Sequence, residues 1–203
     1  MRIGIDFDNT IACYDGVFHM AAIERGLIPA DLPSDKNSVR DYLNGQGRKD
    51  EFTELQGYIY GARMDLASVY PGFHAFVTAA RAAGHDVYIV SHKTRFPILG
   101  PRHDMHLAAR DFLAQRGLVG PGPDRVASEN VFFELTNEEK VARVAAIGCQ
   151  VFIDDLPEIF SLQRFSERMR GILFDPQNSH AHLPIERYSD WAAVQRALIG
   201  ARA

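Results

Sequence analysis

The amino-acid sequence predicts an α/β fold in which a mostly parallel sheet is covered by helices on both faces. Short runs rich in Val, Ile and Phe, bounded by Gly, Asp, Asn or Pro, recur along the chain and predict strands. From the second run onward a helical pattern lies between each run and the next, and strands that alternate with helices pair in parallel. The predicted strands are 2–7, 86–91, 130–135, 150–155 and 171–175.

The helical patterns begin and end at recognisable boundary residues. Gly84, Gly117 and Gly148 each stand directly after a pattern, which is the position that glycine favours at helix C-termini. Thr136 and Glu139 have the spacing of a capping box at the start of one helix. The predicted helices of this series are 71–83, 104–116, 137–147, 157–169 and 190–198.

The segment 14–70 breaks the alternation, because it is too long for a single crossover helix. It contains two helical patterns separated by a loop rich in Pro, Asp and Ser; in chain order these are 16–25, 29–38 and 51–66. We expect a small helical lobe inserted after the first strand, near the carboxyl ends of the strands where functional loops of such folds lie. The predicted core domain is therefore 1–13 together with 71–203.

Composition excludes several classes of protein. The chain has 203 residues, 46% of them hydrophobic, and a net charge of −4, which argues against binding to a nucleic acid polymer or a membrane through bulk charge. Arg2, Asp6 and Asp8 interrupt any apolar run at the N-terminus, so we expect no secretory signal and a cytoplasmic location. Cys13 and Cys149 are far apart and predict two reduced thiols. The oligomeric state is left open.

Polar and charged residues follow four of the predicted strands. They are Asp6, Asp8 and Thr10 after the first strand, Ser91 at the end of the second, Lys140 in the helix after the third, and Asp154 and Asp155 at the end of the fourth. Because the carboxyl ends of parallel strands share one edge of a sheet, these side chains are expected to meet. Clustered carboxylates repel, and a hard divalent cation such as Mg²⁺ relieves that repulsion. Lys140 is expected to pair with Asp6.

Taken in chain order, these residues resemble the four motifs of the haloacid dehalogenase-like hydrolase superfamily. The resemblance implies a Rossmann-like core, with the inserted lobe 14–70 as a small helical cap of the C1 type. A carboxylate two residues after the first Asp is absent from the dehalogenase and ATPase branches of the superfamily and present in its phosphatases. Asp8 therefore favours phosphoryl chemistry, with a small phosphate ester as the substrate.

The resemblance also implies roles for individual residues. Asp6 would be the nucleophile that forms an aspartyl-phosphate, and Asp8 the general acid and then the general base. Thr10 would orient this loop, Ser91 would hydrogen-bond the transferring phosphoryl group, and Lys140 would neutralise the nucleophile and a phosphate oxygen.

The implied metal site uses residues of the first and fourth motifs. Mg²⁺ would bind a carboxylate oxygen of Asp6, the backbone carbonyl of Asp8, and Asp154. Asp155 would bind through a water or support the site from outside the ligand shell.

Residues near these motifs are candidates for substrate binding. His92, Lys93 and Arg95 follow Ser91 closely, and Tyr14 and Phe18 follow the first motif, so we expect them to line the substrate pocket. The stretch 171–178 resembles the late strand and loop of the 5′(3′)-deoxyribonucleotidases, which favours a nucleotide without excluding a sugar phosphate.

Other functions stay open at this point. A phosphotransferase or another hydrolase of the same superfamily fits the same motifs. A catalytically silent binding protein is a further alternative, which the complete set of motif residues disfavours. The receiver domain of a phosphorelay regulator also combines acidic residues, a hydroxyl and a Lys on a parallel sheet. Its phospho-accepting Asp follows the third strand, where this chain has Glu134, Leu135 and Thr136, and this difference disfavours the regulator.

Overall fold

The structure, a computed structural model, describes residues 1–163, 165 and 168–200 and divides into two units. The first unit contains Met1–Ala12, Val69–Lys93 and the described residues from Leu113 onwards. The second contains Cys13–Ser68 and Thr94–Phe112. The first unit carries all of the predicted strands, and the second carries the predicted helical lobe.

The sheet of the first unit has six strands in the order β5-β4-β1-β6-β7-β8, and every neighbouring pair is parallel. This confirms the predicted fold class. A separate two-stranded sheet pairs β2 with β3, where the chain passes between the units. The strands are β1 (Arg2–Ile5), β2 (Ala12–Cys13), β3 (Ser68–Val69), β4 (Asp86–His92), β5 (Val131–Glu134), β6 (Val151–Asp154), β7 (Arg170–Phe174) and β8 (Arg187–Tyr188).

The short strand β1 lies between β4 and β6, near the middle of the sheet. Ile5 of β1 pairs with Ile89 on one side and Ile153 on the other, and all three side chains are fully buried. Burial on both faces explains why β1 reads as a nearly continuous apolar run. The residues that follow Ile5 therefore emerge at the centre of the sheet's carboxyl edge.

The helices of the structure are α1 (Val17–Glu24), α2 (Lys36–Gly45), α3 (Lys49–Gly61), α4 (Phe73–Ala82), α5 (Met105–Gln115), α6 (Asn137–Ile147) and α7 (Trp191–Ile199). Helix α6 has the predicted bounds. Thr136 Oγ1 accepts a hydrogen bond from the Glu139 N–H, and Gly148 ends the helix in the left-handed conformation. None of the described helices has the length and apolar character that a membrane span requires.

Trp191, the first residue of α7, connects the helical layer to the loop after β1. Its buried ring stacks on Phe174 and contacts Phe73 and Phe76, with centroids 4.9–5.2 Å apart. Its indole N–H donates to the backbone oxygen of Thr10 at 3.1 Å. The aromatic cluster thus holds the end of the first motif in place.

The first unit differs from the prediction most at one helix and at one additional strand of the main sheet. Elsewhere the ends of the elements shift slightly, and β1, predicted over 2–7, ends at Ile5. The helix predicted over 157–169 is wrong in its length, because a 3₁₀ helix ends at Ser161 and residues 162, 163, 165, 168 and 169 are not helical. Residues 164, 166 and 167 of that prediction lie outside the described residues. Strand β8 was not predicted, because two residues are too few to show alternation.

In the second unit, α1 and α3 lie within the predicted helical patterns or close to them, and α2 is an unpredicted helix. The loop predicted over 29–38 ends at Asp35, whose carboxylate caps α2 by accepting from the Ser38 N–H at 2.9 Å. Polar residues dominate α2, and only Val39 and Leu43 are buried. Four-residue spacing of two apolar side chains is a weak helical signal, which explains the omission.

The segment Thr94–Phe112 belongs to the second unit, whereas the sequence-based division placed it in the core domain. Two glycines of α3 explain the packing. A Cβ atom at Gly57 would lie 2.5 Å from Pro97 Cβ, and one at Gly61 would collide with His103. Glycine at both positions lets the segment lie directly against α3.

Gly4 of β1 is expected to be intolerant of a side chain. A Cβ atom there would lie 2.9 Å from the Phe152 ring and 3.1 Å from the buried Cys149 Sγ. We therefore expect Gly4→Ala to destabilise the protein by about 1–3 kcal/mol in urea unfolding. Gly45→Ala is the matched control, because a Cβ atom at Gly45 has open space and the backbone there is helical. Equal unfolding midpoints for the two variants would contradict this packing.

Candidate active site

The first motif forms a tight turn at the carboxyl end of β1. The Asp6 N–H donates to Ile153 O, so Asp6 continues the ladder with β6 for one more bond. The N–H groups of Ile11 and Ala12 both donate to Phe7 O at 2.9 Å, and Asn9 adopts a left-handed conformation with φ of 55°. Asn tolerates this conformation better than most residues. Local hydrogen bonds therefore hold Asp6 and Asp8 at the sheet edge.

Lys140 connects the first and fourth motifs. Its Nζ lies 2.6 Å from Asp6 Oδ1 and 2.5 Å from Asp154 Oδ2, and all three side chains are buried. Burial by itself lowers the pKa of Lys140, but the two carboxylates outweigh it and raise that pKa above the ordinary value. The ammonium group is therefore charged and offsets part of the negative charge around it.

Three carboxylates meet beside this ammonium group. Ligand oxygens of Asp6, Asp154 and Asp155 all lie within 4.8 Å of one another. Burial raises the pKa of Asp154 to about 7 in spite of Lys140, and Asp6 adds to the shift. Burial raises the pKa of Asp155 well above its ordinary value, and the negative charges of Asp6 and Asp154 add to that shift. One lysine therefore does not balance three carboxylates, and this all-oxygen set has the chemistry that hard divalent cations prefer.

Asp8 lies outside the three-carboxylate cluster. Its Oδ2 atom is 2.7 Å from the Nζ atom of Lys93, a second buried lysine. The two acids of the first motif are therefore paired with different lysines. The predicted metal contact of Asp8 uses its backbone carbonyl, and this contact stays a prediction.

The two hydroxyl residues of the predicted site are buried. Ser91 lies in the last part of β4, and its Oγ is 3.5 Å from His92 O, at the limit of a hydrogen bond. The Oγ1 atom of Thr10 is buried and has no hydrogen-bond partner among the described residues. A buried hydroxyl that lacks a hydrogen-bond partner lowers the free energy of unfolding. Both hydroxyls therefore have capacity for a further hydrogen bond.

The predicted substrate-binding residues fall into two groups. His92 is exposed at the end of β4, and Lys93 contacts Asp8. Tyr14, Phe18 and Arg95 belong to the second unit. Their roles in substrate binding stay predictions.

Contacts within the second unit give those three residues structural roles. The buried Tyr14 hydroxyl donates to Met64 Sδ at 3.3 Å, and the buried Phe18 ring lies 4.7 Å beneath the ammonium group of Lys36. Arg95 is exposed and pairs with Asp104 at 2.9 Å.

One contact within the candidate site was missed from the sequence, namely the pairing of Lys93 with Asp8. The available signal was that the chain has only four lysines and that one of them follows a strand end directly. Sequence alone does not say in which direction such a side chain points, so it suggested a substrate contact instead.

The fold and the site define a parallel α/β protein with a buried aspartate–lysine cluster at the carboxyl ends of its strands. No family model and no curated protein sequence matches this chain. Similar solved structures include a haloacid dehalogenase family hydrolase from Deinococcus radiodurans, with bound phosphate and sodium. It aligns at 17% identity and TM-score 0.60, over 97% of this chain and 94% of that one.

Two further structures give the same result. A predicted phosphatase from Clostridium acetobutylicum aligns at 11% identity and TM-score 0.59, over 98% of this chain and 97% of that one. A haloacid dehalogenase superfamily hydrolase from Ehrlichia chaffeensis aligns at 15% identity and TM-score 0.55, over 97% and 94%. This chain therefore has the fold of the haloacid dehalogenase-like hydrolases, as its four motifs predict. The C1-type cap and the deoxyribonucleotidase resemblance stay predictions.

Proposed function

We propose that this protein is a Mg²⁺-dependent phosphomonoesterase that acts through an aspartyl-phosphate on Asp6. The observation that carries the proposal is the buried cluster in which Lys140 contacts Asp6 and Asp154 beside Asp155. A cluster of three acids with one lysine is unfavourable for stability alone, because the like charges repel and Asp6 and Asp154 are buried. Such an arrangement suits a site that binds a cation and a phosphate ester.

In the first half-reaction, a carboxylate oxygen of Asp6 attacks the phosphorus atom. A new bond between Asp6 and phosphorus forms as the bond from phosphorus to the leaving oxygen breaks. Asp8 gives a proton to that oxygen, and the alcohol departs. Lys140 stabilises the negative charge that the phosphoryl oxygens carry during the transfer.

In the second half-reaction, water attacks the phosphorus atom of the aspartyl-phosphate. Asp8 is now a carboxylate and takes a proton from this water, while the bond between Asp6 and phosphorus breaks. Inorganic phosphate leaves, and both aspartates return to their starting states. Ser91 and Thr10 supply buried hydroxyls for hydrogen bonds during these steps.

The cluster Asp6, Asp154 and Asp155 would hold the cation, together with the backbone carbonyl of Asp8. Two observations indicate that these residues suit a divalent cation: the three carboxylates are close together, and the acids in the cluster outnumber the lysines. When bound, Mg²⁺ supplies positive charge that neutralises these carboxylates and the phosphoryl oxygens.

The proposed substrate is a small phosphorylated metabolite, either a nucleotide or a sugar phosphate. An assay with p-nitrophenyl phosphate followed by a panel of both classes, ranked by kcat/KM, tests the activity and narrows the substrate. Release of inorganic phosphate, measured against transfer to an added alcohol, separates hydrolysis from phosphotransfer. Turnover that persists unchanged after chelation with EDTA would contradict the dependence on a divalent cation.

Binding of Mg²⁺ is expected to stabilise the folded protein even without substrate. A cation that binds the folded cluster raises the melting temperature by mass action and removes repulsion among the carboxylates. Differential scanning fluorimetry with and without Mg²⁺ measures this shift. Asp154→Asn is expected to lose the shift, and Asp111→Asn, at an exposed position, is expected to retain it. Equal shifts in the two variants would place the cation elsewhere.

A further inference from the structure

Lys93 and Lys140 are the two buried lysines of this chain, and each contacts one acid of the first motif. The Nζ atom of Lys140 lies against Asp6, and that of Lys93 lies 2.7 Å from Asp8 Oδ2. The Lys93 side chain is 3% exposed. The other two lysines, Lys36 and Lys49, are half-buried and exposed. Burying a lysine is costly, so its pairing with a motif acid calls for a functional reason.

The backbone of Lys93 and its ammonium group are both held by neighbouring residues. The backbone N–H of Lys93 donates to Glu134 O at 2.8 Å, which fixes the chain to the end of β5 just after β4. The ammonium group lies 5.5 Å from the centroid of the Phe7 ring, within the range of a cation–π contact. Phe7 in turn contacts Phe133 edge to face at 5.9 Å. Lys93 therefore approaches Asp8 from a rigid support.

We propose that Lys93 is the positioning residue for Asp8 and fixes the rotation of its carboxylate for proton transfer. This role rests on the proposed function, because it assumes that Asp8 exchanges protons with the leaving oxygen and with water. Proton transfer needs a donor and acceptor at hydrogen-bond distance in the transition state. The side chain of Asp8 is 20% exposed, so packing alone restrains it less than it restrains Lys93.

This role differs from that of a lysine that binds the phosphate group directly. A phosphate-binding lysine stabilises every ester to the same degree, whatever alcohol leaves. A lysine that positions the general acid matters most when the leaving group is a poor one, because such a leaving group depends on protonation. The dependence of kcat/KM on the leaving group therefore distinguishes the two roles.

The test uses a series of aryl phosphates whose phenols differ in acidity, with wild type and Lys93→Met. The kcat/KM value covers the steps up to departure of the phenol and leaves out the shared hydrolysis of the aspartyl-phosphate. For the least acidic phenols we expect Lys93→Met to lower kcat/KM by about 10²-fold. For p-nitrophenyl phosphate we expect a loss several times smaller. The plot of log kcat/KM against phenol pKa is therefore steeper in Lys93→Met.

Three further variants test whether Lys93 acts through its charge and through Asp8. Lys93→Arg keeps a cation and is expected to recover part of the lost rate, and Lys49→Met is expected to match wild type. Asp8→Asn combined with Lys93→Met is expected to be no slower than Asp8→Asn alone, because Lys93 acts through Asp8. The slope of the plot is a comparison within one preparation, so partial unfolding of a variant lowers all rates together and leaves the slope unchanged.

The outcomes separate this role from the proposed function. A steeper slope in Lys93→Met supports the positioning role. Parallel plots for Lys93→Met and wild type would overturn it and leave the phosphatase proposal intact. Additive losses in the double variant would also overturn it. A wild-type protein that hydrolyses none of the aryl phosphates in the presence of Mg²⁺ would overturn the proposed function, and this role with it.

Discussion

Asp6→Asn is expected to lower kcat on phosphate esters by at least about 10⁴-fold, because the amide cannot attack phosphorus and the covalent route is lost. The amide has nearly the same shape as the carboxylate, and it removes one of three close negative charges from the cluster. Without Mg²⁺, the folded protein is therefore expected to be at least as stable as wild type. Phosphate release from p-nitrophenyl phosphate is measured at saturating Mg²⁺, and the melting temperature is measured on a separate sample in EDTA.

Asp111→Asn is the matched control for this experiment, since it makes the same chemical change at an exposed position. It is expected to keep wild-type activity. Full activity in Asp6→Asn would show that another group attacks the phosphorus atom, and it would remove Asp6 from the mechanism.

Lys140→Met is expected to cause the largest loss of stability in the metal-free protein, about 3–5 kcal/mol. The replacement leaves the buried carboxylates of Asp6 and Asp154 without the ammonium group that contacts both. Urea unfolding at neutral pH in the presence of EDTA measures the loss. The loss is expected to shrink at acidic pH, where protonation removes the repulsion among the carboxyl groups.

Two comparisons test the electrostatic origin of that loss. Lys49→Met removes an exposed lysine and is expected to change stability by less than about 0.5 kcal/mol. Added Mg²⁺ is expected to restore part of the stability of Lys140→Met, because the cation brings positive charge to the same carboxylates. A loss that is independent of both pH and Mg²⁺ would indicate a packing defect instead.

The parts of the fold that sequence predicts well are those specified by local chemistry. Helix α6 combines a Thr136 cap, an apolar stripe and a terminal Gly148, and its observed bounds are the predicted ones. Each of these signals acts within one or two turns of the chain. In β1 the apolar run likewise gives way to Asp6 at the sheet edge, although the strand ends at Ile5 rather than at the predicted Phe7.

The candidate site follows from topology rather than from local pattern. Strands β1 and β6 are neighbours in a parallel sheet, so Asp6 and Asp154 must emerge side by side. The fixed start of α6 then brings Lys140 against both. These contacts were predictable because each residue belongs to the end of a regular element.

The remaining features depend on contacts between distant parts of the chain. Helix α2 buries only Val39 and Leu43. It therefore needs packing contacts with other parts of the second unit to be stable. The association of Thr94–Phe112 with α3 depends on Gly57 and Gly61. The sequence alone does not show that these two glycines face that segment. The contact of Lys93 with Asp8 depends likewise on side-chain direction.

The most direct test of the central claim is to trap the phosphorylated enzyme. The protein is mixed with excess substrate and Mg²⁺, quenched in acid within one turnover, digested and analysed by mass spectrometry. We predict that the peptide containing Asp6 gains the mass of one phosphoryl group, and that Asp6→Asn shows no such gain. A phosphoryl group on any other residue, or rapid turnover with no phosphorylated peptide at any quench time, would contradict the account.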